Sequence, residues 1–135
     1  MITGRCLCGA AQYRSPGPAL FSCVCHCRDC QRASGTGGVP VLGVDKTSFA
    51  SSGPIRQSIT QGGSGQPAIR NFCTQCGSLL FGTPQSAPGF VTIYAGSLDD
   101  PTLFEPREAL FVGQRPPWAR LAMQLVEHAA HPDSG

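Results

Sequence analysis

Charge is scarce in this sequence. Asp, Glu, Lys and Arg make up 13% of its 135 residues, about half the roughly 25% usual in globular domains. The formal net charge of +2 is too small to argue for a nucleic-acid partner or attraction to a membrane surface. Lysine is nearly missing: Lys46 stands alone beside nine Arg residues. That bias is compatible with carboxylate recognition. No apolar run reaches the about 18 residues that a membrane helix needs, so a helical span is excluded. The start, Met1-Ile2-Thr3-Gly4-Arg5-Cys6, has no charged segment leading into an apolar one, which predicts a cytoplasmic protein.

Apolar residues are not lacking. At 41% hydrophobic content, general disorder is excluded. The length predicts a single domain over residues 1–131, followed by a short tail at 132–135. Gly 17 and Pro 12 point to many turns and short elements. Ala11 to Arg14 reads as a strand, and Ala19 to Val24 is an apolar run. Arg28 to Ala33 suits one helical turn ending near Gly35. Val39 to Val44 is a β-type run in which Pro40 predicts an edge or a bulge. Ile55 to Thr60 alternates with period 2, and Gly62-Gly63-Ser64-Gly65 joins it to Ala68–Phe72 as a hairpin. Ser78–Phe81, Phe90–Tyr94 and Ala109–Val112 complete the strands. Apolar spacing from Trp118 to about His128 predicts a short C-terminal helix with Trp118 in the core. The sum is a mainly β domain, mostly antiparallel, with little helix.

Eight cysteines in a cytoplasmic chain read as metal ligands or reactive thiols before disulfides. Cys6-Leu7-Cys8-Gly9 is a CxC followed by glycine, and Cys73-Thr74-Gln75-Cys76-Gly77 is a CxxC followed by glycine. A CxxC turn can present two sulfurs to one ion. A CxC can do so only if the backbone bends, because i and i+2 lie about 7 Å apart along a strand; Gly9 supplies the bend. The two pairs together make one closed four-cysteine zinc site. Such a metal staple would tie the N-terminal hairpin to the middle of a small domain.

The third group, Cys25-His26-Cys27-Arg28-Asp29-Cys30, offers three thiolates and leaves a fourth position open. Open zinc sites are the catalytic ones. An ion held by three thiolates has a net charge near −1. A fourth thiolate, from a substrate, would keep its nucleophilic character and attack a small electrophile such as an aldehyde. Cys23 lies two residues before Cys25, on the same side of a strand. It is a fourth ligand that closes this site, a disulfide partner when metal is absent, or a small buried hydrophobe.

These residues resemble a known family. Cys6-x-Cys8-Gly9, Tyr13, Cys25-His26-Cys27-x-x-Cys30-Gln31-Arg32 with Gly35, Phe72-Cys73-x-x-Cys76-Gly77, and Gly96-Ser97-Leu98-Asp99 before Trp118 are similar to the glutathione-dependent formaldehyde-activating enzymes, also called the centromere protein V family. The resemblance spans nearly the whole chain. It implies a zinc-bearing β-tent fold. It implies a structural zinc at Cys6, Cys8, Cys73 and Cys76, and a second zinc at Cys25, Cys27 and Cys30. The implied activity is that of a carbon–sulfur lyase joining glutathione and formaldehyde as S-hydroxymethylglutathione.

Other readings remain beside this one. Arg28 and Arg32 can bind the carboxylates of a glutathione-like ligand, or they are solvated surface. His26 should point away from an ion held by its neighbours. Asp99-Asp100 before Pro101 reads as a turn rather than a catalytic carboxylate pair. The competing functions are a non-catalytic zinc module, binding a protein partner or carrying a thiol, and a thiol redox protein. The redox reading lacks the βαβ context its CxxC usually has.

Overall fold

Short runs of β-branched and aromatic residues, punctuated by Gly and Pro, build ten strands and one short α-helix among the described residues. The computed structural model describes residues 1–62, 65–120 and 125–130. The strands are β1 (Ile2–Arg5), β2 (Gln12–Ser15), β3 (Phe21–Cys25), β4 (Val39–Asp45), β5 (Ala50–Ser52), β6 (Ile55–Gln61), β7 (Pro67–Cys73), β8 (Leu79–Gly82), β9 (Phe90–Tyr94) and β10 (Glu108–Leu110). The helix α1 spans Arg28–Ser34. Among the described residues no helix is long and apolar enough to cross a membrane.

Two sheets result. A three-stranded sheet has the order β1-β2-β5, and a seven-stranded sheet has the order β10-β3-β4-β9-β8-β7-β6. All pairings are antiparallel except β10 with β3. The mainly β, largely antiparallel architecture read from the sequence is therefore the one observed. Directly paired residues share a sheet face. Leu42 pairs with Ile93, and Ile93 with Phe81. These three lie on the inner face and pack with Ile2, Ala11 and Tyr13 of the small sheet and its turn. The rings of Tyr13, Phe49 and Phe81 form a cluster, with Phe49 and Phe81 centroids 4.7 Å apart.

A hydrogen bond fastens this layer to the turn after β9. The Tyr13 hydroxyl lies 2.7 Å from Ser97 Oγ, which donates to the Tyr94 carbonyl at 2.8 Å. Tyr13 and the Gly96-Ser97-Leu98 motif thus hold the two sheets together. Asp100 caps the next turn, accepting from Thr102 N at 3.0 Å. That is the turn role expected of the Asp99-Asp100 pair.

Three expectations need correction. Pro40 does not mark an edge strand, because β4 lies between β3 and β9. The β9 partners begin only at Val41, so Pro40 sits where β4 has a neighbour on one side alone, and its missing N–H breaks no β9 ladder bond. The C-terminal helix is not observed among the described residues. Pro117–Ala119 form a single 3-10 turn, residues 125–130 carry no helix, and 121–124 lie outside the described residues. Leu125 and Val126 are exposed, so an apolar stripe there has nothing to bury against. Trp118 is not core: it is 60% exposed, its ring lying over Gly37.

The Tyr13 arrangement gives a stability test. Tyr13→Phe removes one hydrogen bond and should cost about 1 kcal/mol in denaturant unfolding. Tyr13→Ala also removes the ring from the core and should cost roughly 3–5 kcal/mol. Equal losses would show that the hydroxyl, not the ring, carries this position.

Candidate metal centres

The first cysteine group is assembled from two turns. β1 ends at Arg5, and the chain bends so that Gly9 N donates to Cys6 O at 3.1 Å. Gly9 takes φ +80°, and Gly77 takes φ +77° at the matching position after the CxxC. Neither has a neighbour that would touch an added Cβ; what a larger residue would meet there is the left-handed backbone itself. Gly77 N donates to Cys73 O at 2.8 Å. Around this group Ala11 N donates to Cys6 Sγ at 3.3 Å. Ser78 Oγ accepts from Leu7 N at 3.1 Å and lies 3.1 Å from Cys76 Sγ. The two turns therefore touch through Ser78 as well as through sulfur.

The sulfurs converge. Cys6 Sγ is 3.5 Å from Cys8 Sγ, which is 3.8 Å from Cys73 Sγ. All four sulfurs of Cys6, Cys8, Cys73 and Cys76 lie within 4.8 Å of one another. They can hold a metal ion. The Ser78 hydroxyl leads the interactions that lower the Cys76 thiol to about 5.

The second group sits on the outer face of the seven-stranded sheet. Cys25 closes β3, Cys27 caps α1, and Cys30 lies in the first helical turn. Their three sulfurs also fall within 4.8 Å of one another. Cys27 Sγ accepts from Cys30 N at 3.3 Å, and Asp29 adds a favourable charge to the first turn. The Cys30 thiol, hydrogen-bonded to Cys25, holds the Cys25 thiol down at about 6 against the burial that raises it. Cys30, on the other side of that bond, is pushed up.

His26 points away from this group, as expected between two ligands. It is buried, and its Nδ1 donates to Gly37 O at 2.8 Å. Cys23 is 5% exposed and packs with Val39 and Val41. It is not among the sulfurs that converge. Burial, aided by the negative charge of Cys25 and Glu108, pushes its thiol up, which suits the hydrophobe reading.

Three contributors were not picked out from the sequence. Gln114 braces α1: its Oε1 accepts from Arg28 N at 2.7 Å, and its carbonyl accepts from Gln31 Nε2 at 3.0 Å. Phe111, just before it, has φ +54°, a costly conformation for a bulky residue. Tyr94 packs with Cys30 against the Cys23 cluster. Burial pushes its phenol up, partly offset by Arg70 beside it and reinforced by Cys30 and Cys25. Arg70 is the third. The two arginines predicted from the sequence diverge: Arg28 donates to Gln31 Oε1, whereas Arg32 lines a cleft of 380 Å³ together with Arg70.

Three comparisons bear on this arrangement. The family model described as glutathione-dependent formaldehyde-activating enzyme matches residues 1–114. A Halomonas elongata protein carrying that family's name is 30% identical over 142 aligned positions, covering 98% of this chain and 90% of its own length. The crystal structure of a Rhodobacter sphaeroides protein superposes with a TM-score of 0.58 at 19% identity, over 79% of this chain and 98% of that one. At that identity the likeness speaks for the fold alone.

The two groups should respond differently to mutation. Cys73 is fully buried in the main core and joins distant turns. Cys73→Ser should remove most of the stability of the domain, on the order of 5 kcal/mol. Cys27→Ser should leave a cooperative unfolding transition within about 2 kcal/mol of the parent. Thermal melts of both variants, with metal content measured alongside, decide this. Matching melts would erase the distinction between the groups.

Proposed function

The chain belongs to the glutathione-dependent formaldehyde-activating enzyme family, and from that premise we propose that it is a zinc protein catalysing addition of a glutathione-like thiol to a small aldehyde. The observation that carries the proposal is the count of converging sulfurs: four in the first group and three in the second. Four thiolates satisfy zinc and leave no vacancy; three leave one position for a substrate.

The donor chemistry supports zinc in particular. Zn–S bonds of about 2.3 Å place tetrahedral sulfurs about 3.8 Å apart. The observed 3.5 and 3.8 Å separations in the first group are close to that edge. Cys6, Cys8, Cys73 and Cys76 would hold the structural ion, and Cys25, Cys27 and Cys30 the second. Bound at the second group, zinc would keep a substrate sulfur deprotonated at neutral pH. The protein's own part is to fix that group. Cys27 caps α1, Gln31 ties the helix to the His26 carbonyl at 2.7 Å, and Gln114 ties it to the turn after β10. His26, held on Gly37, is kept out of the ligand set.

The reaction needs no oxidant. The thiol sulfur forms a bond to the aldehyde carbon, the carbonyl π pair moves to oxygen, and that oxygen takes the proton the thiol gave up. The product is a hemithioacetal, S-hydroxymethylglutathione when the reactants are glutathione and formaldehyde. A non-catalytic zinc module would be favoured by Cys23 closing the second group, and Cys23 stands outside it.

Reduced, freshly purified protein should contain two zinc ions per chain by elemental analysis, and Cys23→Ala should retain both. A single zinc in the parent, or loss of one in Cys23→Ala, defeats this reading. Glutathione binding followed by calorimetry in buffers of differing ionisation enthalpy should release a proton. Zinc retention should fall as pH is lowered, because only the thiolates are ligands and acid protonates them. Retention that does not change with pH would contradict thiolate ligation.

A further inference from the structure

Ladder register carries the second cysteine group across the sheet to a basic cleft. Cys23 pairs with Val41, and Val41 with Tyr94. One dyad along β9, Thr92 pairs with Gly82, Gly82 with Arg70, and Arg70 with Ser58. Paired residues share a face and so do residues two apart, so all of these positions lie on the outer face of the seven-stranded sheet. That is the face on which Cys25 and α1 sit. Gly82 has no side chain between Arg70 and Tyr94, and an added Cβ there would come within 3.8 Å of the Tyr94 hydroxyl.

The cleft of 380 Å³ opens between α1 and the β6–β7 hairpin, with Asp29 and Arg32 on the helix side and Ser58, Thr60 and Arg70 on the hairpin side. Arg70 Nη1 donates to Thr60 Oγ1 at 3.2 Å, and the Arg70 side chain also lies beside Tyr94, which, like Cys30, packs against the Cys23, Val39 and Val41 cluster. The guanidinium is thus anchored on Thr60, with the Tyr94 phenol beside it. Among the described residues neither Arg32 nor Arg70 lies within 4.0 Å of a carboxylate. Arg28, in contrast, is turned to Gln31.

We propose that Arg70 and Arg32, facing each other across this cleft, bind the carboxylate end of the thiol substrate, with Tyr94 and Thr60 positioning Arg70. This rests on the function proposed above, in which the substrate sulfur lies at Cys25, Cys27 and Cys30. A thiol whose sulfur reaches that group then extends past Tyr94 into the cleft. Asp29, on the cleft wall, faces the ammonium of an amino-acid terminus. The specificity for charged thiols is accordingly set in part from Arg70 on the hairpin, more than three dozen residues away in sequence from Cys25, Cys27 and Cys30.

The test is calorimetry on zinc-loaded full-length protein, with glutathione, 3-mercaptopropionate and mercaptoethanol. The parent should bind the two carboxylate-bearing thiols more tightly than mercaptoethanol. Arg70→Ala should weaken them by about tenfold or more and leave mercaptoethanol affinity and zinc content unchanged. Tyr94→Phe should weaken them less, and the loss should again spare mercaptoethanol. Equal weakening of all three thiols, or no preference in the parent, overturns the inference. Loss of the preference in Arg28→Ala with retention in Arg70→Ala also overturns it, while leaving the proposed function standing. A parent that binds none of the thiols overturns both.

Discussion

The structure depends on bringing two short turns together across a long loop. The sulfurs of Cys8 and Cys73 are 65 positions apart in sequence and 3.8 Å apart in space. Closing a loop of that length costs an unfolded chain about 4 kcal/mol of entropy. The small sheet has few apolar residues of its own to set against this. Ile2 and Tyr13 are its buried contributions, and β5 is exposed throughout. An ion ligated by both turns would act as a cross-link between the sheets, at the place where the hydrophobic contribution is thinnest. The Leu7–Ser78 and Tyr13–Ser97 hydrogen bonds follow from that approach.

The seven-stranded sheet keeps its core and the second cysteine group on opposite faces. The inner face, with Leu42, Ile93 and Phe81, is sealed by the small sheet. The outer face carries the second cysteine group under a helix of only seven residues. Such a helix cannot sustain itself by propensity. It is held by its ends and by Gln31 and Gln114, so the cysteines it carries are as well fixed as those contacts. The alternation of a β-strand makes this division possible, since neighbouring residues of β4 serve opposite faces: Leu42 the core, Val41 the Cys23 cluster.

Much of this was legible because turns are local. A CxC or a CxxC followed by glycine fixes its own geometry, and the convergence of Cys6 and Cys8 with Cys73 and Cys76 needed only that the two turns meet. The β6–β7 hairpin and β9 were also read from alternation and turn residues. Arg70 and Tyr94 were not legible. They become neighbours only through the registers of β7 on β8 and β8 on β9, and a single sequence does not set registers between strands. Gln114 was hidden for a similar reason, since its role depends on β10 returning beside β3. The C-terminal segment misled in the opposite sense. Its spacing imitates an amphipathic helix, but Trp118, Leu125 and Val126 are exposed, and periodicity has structural meaning only where a surface waits to cover it.

The parallel return of β10 has a consequence for synthesis. A ribosome delivers the second cysteine group early, within the first stretch of chain. The segment that braces its surroundings, from Leu110, which accepts from His26 N, to Gln114, which braces α1, emerges after both turns of the first group. The emerging chain can therefore bring the two turns of the first group together while the helix of the second still lacks its brace. The second group is thus the later of the two to be fully braced, although all three of its cysteines leave the ribosome before Cys73 and Cys76.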